Sequence, residues 1–154
     1  MLSMLLDTNV YGRMVEDKDD GLKVAESLAE DPEVVVRNFR LIRNELRRAP
    51  AILPIYDQVV SSKVVDETHE IRKLANTYFE EYKNHGGHQG RNAFMNDMMI
   101  VACATLAQCD IVVSDDQRTL GHPIARSAYA TVNLKQALRT PSFLTYSDLK
   151  KRYT

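Results

Sequence analysis

The apolar positions of the chain fall into short unbroken runs, separated by longer stretches with helical spacing. Leu2 to Leu6 is the first run, and it stops abruptly at Asp7-Thr8-Asn9. Val34-Val35-Val36 is the second, and Ile111-Val112-Val113, between Asp110 and Ser114, is the third. Runs this short and apolar on both faces read as strands buried in a parallel sheet. Helices are predicted for Val10 to Glu16 and for Gly21 to Glu30, where Leu22, Ala25, Leu28 and Ala29 recur at helical spacing before Asp31-Pro32. Asn38 is placed to cap a further helix. There Leu41, Ile42, Glu45 and Leu46 share one face, and Arg40, Arg43 and Arg47 share the other. After a turn between Pro50 and Pro54, Ile55, Val59, Val60 and Val64 predict another helix. A strongly periodic one follows over Asp66 to Asn84.

The glycine-rich stretch His85-Gly86-Gly87-His88-Gln89-Gly90 reads as a loop. Asn96 is expected to cap a nearly all-apolar helix reaching Leu106, with Asp97 in its first turn. Beyond Gly121 and Pro123, a short strand is expected over Tyr129 to Leu134, a single helical turn over Gln136 to Arg139, an edge strand at Phe143-Leu144-Thr145, and a basic tail from Ser147. Strands alternating with helices make this an α/β chain with a mainly parallel sheet. Without a repeat, a low-complexity segment or a boundary signal, residues 1–154 read as one domain.

Composition narrows the classes. Hydrophobic residues are 44% and charged residues 27%, as in an ordinary globular protein, and no apolar run approaches a membrane span. The apolar start lacks a basic leader and a cleavage site, so it reads as a buried strand and not a signal peptide. Cys103 and Cys109 are then expected as free thiols in a cytoplasmic protein. A net charge of −1 argues against a bulk basic nucleic-acid binder, but not against a nuclease whose acids offset its basic residues.

The acids carry the candidate chemistry. Asp7 ends the first strand, Asp115-Asp116 stand at the end of the third, Glu45 lies on an apolar helix face, and Asp97 opens a helix. Each has a plain structural reading. Asp7 or Thr8 caps the next helix, Glu45 pairs with Arg48, and Asp97 complements a helix dipole. Together they mark places that converge at one rim of a parallel sheet. Carboxylates gathered there repel one another unless a hard divalent cation offsets them. Mg²⁺ or Mn²⁺ fits an all-oxygen set and would serve hydrolysis of a phosphodiester. His85 and His88 have a spacing open to metal ligation, but without cysteines or a second ligand pair they read as loop polarity. No Gly-rich phosphate loop and no Gly-x-Ser-x-Gly elbow is present.

Leu-Leu-Asp7-Thr8-Asn9, Asn44-Glu45-Leu46, Asp97 followed by Met-Met-Ile-Val-Ala-Cys-Ala, and Val-Val-Ser114-Asp115-Asp116 stand in the order and at the spacing of the four motifs of PIN-domain ribonucleases. The chain resembles that family over nearly its whole length. The resemblance implies a doubly wound α/β/α sandwich around a central, mainly parallel sheet. It implies Asp7, Glu45, Asp97 and Asp116 as the acids that hold Mg²⁺ or Mn²⁺ and cut RNA. Asp115 stays open as an alternative to Asp116 or a further ligand, and Asn9 and Ser114 are implied as supporting residues. It further implies a homodimer, and a toxin with an antitoxin partner or a stand-alone member of archaeal type. Arg40 and Arg43, with Arg47, Arg91 and Arg118, are expected against the RNA backbone, and Ile55 to Val64 at the dimer face. Two other readings remain: a catalytically silent PIN-like module that binds RNA or protein, and a nucleotide-binding or phosphatase-type α/β protein sharing only the acidic rim.

Overall fold

A computed structural model describes all of residues 1–154. Its main sheet has four parallel strands in the order β2-β1-β5-β6, formed by Leu2–Leu6 (β1), Val34–Val36 (β2), Ile111–Val113 (β5) and Ser142–Leu144 (β6). β1 lies inside the sheet, with Leu2 opposite Val34 on one side and Leu6 opposite Val113 on the other. The chain winds from β1 to β2 through Thr8–Glu16 (α1) and Lys18–Glu30 (α2). It then returns to the far side of β1 to make β5 and finally β6. The α/β class and parallel sheet expected from the short apolar runs are what the chain forms.

Between β2 and β5 lie Asn38–Phe39 (β3), Arg40–Leu46 (α3), Leu53–Val59 (α4), Val64–Val65 (β4), His69–Asn84 (α5) and Arg91–Leu106 (α6). β3 and β4 form a separate two-stranded parallel sheet. Pro123–Lys135 (α7) joins β5 to β6, and Tyr146–Arg152 (α8) follows β6. The helices pack in two groups, α1 to α4 and α5 to α7, and α6 lies against β1 and β5. One cluster of 41 buried hydrophobic residues connects them. Within it, the buried Tyr78 hydroxyl donates to Asn133 Oδ1 (2.6 Å) and pairs with Thr105 Oγ1 (3.0 Å), tying α5, α6 and α7 together.

Several local expectations give way to tertiary packing. α2 starts at Lys18, not Gly21. Lys18 takes a positive φ of 54° that lets α1 turn into α2 without a loop. Gly21 sits where the helices cross, and a Cβ there would lie 1.8 Å from the Met14 carbonyl oxygen. Asn38 does not cap α3. It lies in β3, and its Oδ1 accepts from the buried Tyr56 hydroxyl at 2.6 Å. Val64 is in β4 and not in a helix, while Val59 is buried and Ile55 and Val60 are half-buried. Ile55 and Val60 pack in part against the core, and Val64 is half-buried in β4.

α5 begins at His69, with Thr68 accepting from Ile71 N. Tyr129 to Leu134 is helical. Pro123 starts α7, and Ala125, Ala128, Tyr129, Val132 and Asn133 are buried at helical spacing, which overrides the strand propensity of Tyr, Thr and Val. Gln136 to Arg139 is a turn, with Ala137 at φ 56°. The tail from Ser147 is α8, started by a reciprocal cap between Thr145 and Asp148. Cys103 and Cys109 are free and buried, and no helix is long and apolar enough to cross a membrane.

Candidate active site

Strand order reverses at β1, because β2 lies on one side of it and β5 on the other. In an open parallel sheet the carboxyl ends of the strands leave a crevice at such a point. Asp7 follows β1 directly and Ser114 follows β5, so both side chains enter this crevice. Ser114 Oγ donates to Asp7 Oδ2 at 2.7 Å. Asp7 also caps α1, with Thr8 N donating to Oδ1 at 2.7 Å. The capping and rim readings of Asp7 hold together, since each oxygen serves one of them. Asn9 Nδ2 adds a bond to Oδ2 at 3.1 Å.

Thr8 Oγ1 turns the other way and donates to Glu45 Oε2 at 2.7 Å, which brings α3 to the rim. Glu45 is therefore held by Thr8 and not by Arg48. On the opposite side, the Asp116 backbone N–H donates to Ser114 Oγ at 3.0 Å. Asp116 Oδ1 accepts from the backbone N–H groups of Arg118 and Thr119, each at 3.0 Å. Gly121 closes this turn by donating to the Asp116 carbonyl at 2.8 Å, and a Cβ on Gly121 would lie 2.9 Å from that oxygen. Thr119 Oγ1 hydrogen-bonds both Asp116 Oδ2 and Asp97 Oδ2, the latter at 2.6 Å.

The four acids thus lie on one continuous hydrogen-bonded row: Glu45, Thr8, Asp7, Ser114, Asp116, Thr119, Asp97. They come from α3, the end of β1, the end of β5 and α6. Asp97 arrives by a different route from the one expected. α6 starts after Gly90, so Asn96 is no cap and Asp97 lies beyond the first turn, out of reach of the helix-dipole reading. The buried Phe94 and Met98, four apart, show that the helix was already running there.

Burial, above all, pushes the Asp7 carboxyl up to about 6, with the charges of Glu45 and Asp116 adding and the Ser114 and Thr8 bonds opposing. Burial likewise pushes Asp97 up to about 7, opposed by Thr119 and reinforced by Asp7, Asp116 and Glu45. No cation forms a salt bridge with any of the four. Asp115 differs. Its Oδ2 is 2.8 Å from Arg13 Nη1 and its Oδ1 accepts from Tyr146 N at 2.8 Å, so its charge ties α1 to the start of α8.

No three acidic, histidine or cysteine side chains stand close enough together to hold one ion by themselves. Asp97 and Asp116 both reach the same threonine oxygen, so their own oxygens lie within two hydrogen-bond lengths of each other. Mg²⁺ binds through one or two carboxylates and keeps several waters, which this pairing and the all-oxygen donors fit. His85 is engaged with Glu81 at 3.1 Å.

Among the arginines, Arg40 pairs with Asp66 at 2.9 Å and Arg43 with Asp57 at 3.5 Å. Arg91 lies over the Phe79 ring and donates to Asn76. Arg47 and Arg118 are exposed, and the Arg118 backbone belongs to the Asp116 turn. The hydroxyls of Thr8 and Thr119 were not foreseen as links. The only signal for the second is the Asp116-x-x-Thr119 spacing, which is that of a side-chain-capped turn.

No family model and no curated protein matches the sequence. Solved structures do. A chain in the crystal structure of VapBC2 from Rickettsia felis bound to a promoter DNA fragment is 14% identical, with a TM-score of 0.60 over 94% of this chain and 98% of that one. One in VapBC-1 from nontypeable Haemophilus influenzae is 13% identical, with a TM-score of 0.57 over 95% and 99%. One in FitAcB from Neisseria gonorrhoeae is 16% identical, with a TM-score of 0.57 over 94% and 98%. The sheet order, the winding around β1 and these likenesses over nearly the full length show that the chain has the PIN-domain fold.

Proposed function

We propose that the protein is a metal-dependent endoribonuclease that hydrolyses RNA phosphodiester bonds at the row of Asp7, Glu45, Asp97 and Asp116. The observation that carries this is the row itself: four acids from four elements, joined by three hydroxyls at the switch point, with no cation paired to them. Strained like charges at a ligand-binding crevice are retained for use and not for stability. Asp7, Glu45, Asp97 and Asp116 would hold Mg²⁺ or Mn²⁺, which when bound activates water and offsets the charge developing on a phosphoryl group. Asp116 is the fourth acid in this reading, because Asp115 is occupied by Arg13 and Tyr146.

The residues around the row keep its oxygens in place. Ser114 and Asn9 fix Asp7, Thr8 orients Glu45, and Thr119 spans Asp97 and Asp116. The single Thr119 proton serves one carboxylate at a time.

The likeness to the toxins of VapBC and FitAB complexes extends the proposal to a cytoplasmic, homodimeric toxin neutralised by an antitoxin protein. Arg118 and Arg91 are proposed at the RNA backbone, with Arg40 and Arg43 as secondary contributors. The test is cleavage of single-stranded RNA with Mg²⁺ or Mn²⁺ and with EDTA. Cleavage that stops in EDTA and in Asp7→Asn is expected. Binding of RNA without cleavage would replace this reading by the silent module, and turnover of small phosphate esters but not RNA by a phosphatase-type activity.

A further inference from the structure

A cleft of about 470 Å³ opens between α3 and α6, lined by Leu41, Asn44, Glu45, Arg48, Glu67 and Asn96. It shares Glu45 with the acidic row. Each helix that sends an acid to the row also sends the preceding residue, Asn44 before Glu45 and Asn96 before Asp97, to the wall of this cleft. We propose that the cleft seats one nucleotide of the RNA chain beside the phosphate that is cut, with Asn44 and Asn96 reading its base and Arg48 holding a neighbouring phosphate. This rests on the ribonuclease reading above.

Chemistry and size both fit. The volume is in the range of small-ligand sites. An unstacked base presents a flat apolar face and an edge of mixed donors and acceptors. Leu41, 6% exposed, gives the cleft an apolar wall, and two side-chain amides supply both a donor and an acceptor each. Asn44, Asn96 and Arg48 are exposed and have no side-chain partner within the protein, so they are free for a ligand. Arg48 differs in this from Arg40 and Arg43, which acids on the protein already engage. Glu45 and Glu67 on the same walls repel phosphate, which confines it to the Arg48 edge and leaves the middle to the base. A second cavity, beside Ser114, is smaller at about 170 Å³. Most of its polar side chains already have partners: Ser114 donates to Asp7, Thr145 and Asp148 cap one another, and Arg126 lies over Phe143.

The test pairs binding with cleavage. Fluorescence anisotropy of short oligo(A), oligo(C), oligo(G) and oligo(U) is measured in EDTA with wild type, Asn44→Ala/Asn96→Ala and Arg48→Ala. Cleavage of a random-sequence single-stranded RNA pool with Mn²⁺ is read by sequencing the ends. Wild type should favour one homopolymer by at least about fivefold, and the double asparagine variant should bring all four affinities to within about twofold of one another. The cut sites should lose their base preference in parallel. Arg48→Ala should weaken all four alike and lower the salt slope by about 0.7.

Both variants change exposed residues, and a melting curve matching wild type shows that they fold. Equal binding of all four homopolymers by wild type, no binding of any, or a preference that survives loss of both amides overturns the assignment of the cleft, while chelator-sensitive cleavage would still stand. Discrimination that depends on the two asparagines in a protein that never cleaves supports the cleft and removes the ribonuclease reading instead.

Discussion

The two ends of the parallel sheet use carboxylates in opposite ways. At the amino end, Asp110 precedes β5 and is bound by the Ser3 backbone N–H at 2.9 Å and by Arg139 at 2.8 Å. These bonds hold its carboxyl below the usual carboxylate range. At the carboxyl end, Asp7 and Asp97 are raised, first by burial and then by acidic neighbours: Glu45 and Asp116 for Asp7, and Asp7, Asp116 and Glu45 for Asp97. Hydrogen-bond donors reach the acids at both ends, so the difference lies in the cation. An acid that serves the fold is given a cation, and the acids at the switch point are left without one.

Asp97→Asn should separate the two ends most sharply. It removes one of the repelling charges, so in EDTA the variant should melt at or above the wild-type temperature. Wild type at about 100 times the Mn²⁺ dissociation constant should gain roughly 2.7 kcal/mol, or about 5–10 °C in melting temperature. The variant should lose most of that gain and all RNA cleavage. A variant less stable in EDTA that keeps the full Mn²⁺ shift and still cuts RNA would return Asp97 to an ordinary structural acid.

The pH dependence of the metal-free protein sharpens the comparison next. For Asp7 and Asp97 the folded state holds its protons to higher pH than the unfolded chain does. Their contribution to stability is therefore complete below about pH 4 and is lost as pH rises through about 6 and 7. For Asp110 the sign is reversed: its contribution is present above about pH 4 and lost as pH falls below it. Melting in EDTA should thus fall between pH 5 and pH 7 at a slope that Asp97→Asn makes shallower and saturating Mn²⁺ removes. A wild-type melting temperature that is flat or rising over that window would mean that the rim acids are not strained.

Smaller effects are expected where charges are already paired. Arg139→Ala and Asp115→Asn each break a partly exposed ion pair, for a loss of at most about 1 kcal/mol, and both should keep the Mn²⁺ shift and RNA cleavage. Asp115 sits at the carboxyl end but is paired as the amino-end acids are. Loss of the metal shift in Asp115→Asn would make it, and not Asp116, the fourth acid. The smallest change is expected from Arg40→Ala/Arg43→Ala. Both arginines are engaged by Asp66 and Asp57, so the slope of RNA affinity against salt should fall by less than about 0.7, the contribution of one phosphate contact on a single strand.

Asp7 and Glu45 were legible in the sequence because each stands at a place that pattern alone can locate. Asp7 and the Asp115-Asp116 pair follow apolar runs, which left the choice within the pair open, and Glu45 interrupts an apolar helix face. Asp97 was found for the wrong local reason, as a first-turn residue, because the start of α6 depends on Gly90 and on Phe94 packing into the core. The threonines of the row were hidden, since Thr8 and Thr119 act on residues 37 and 22 positions away. The same limit explains the misread elements. Asn38, Val64 and the segment from Tyr129 to Leu134 each take the structure that long-range packing gives them, against their local preference.

Short-range periodicity and chain order determined the α/β class, the parallel strands and the strand ends at which acids stand, because burial on both faces of a strand leaves an unbroken apolar run in the sequence itself. Which side of β1 receives β5, where Asp115 turns its charge, and which hydroxyls stitch the acids into a row were decided by the tertiary structure. Those are pairings between groups far apart along the chain, and their energy exists only once the sheet has brought the ends of β1 and β5 together.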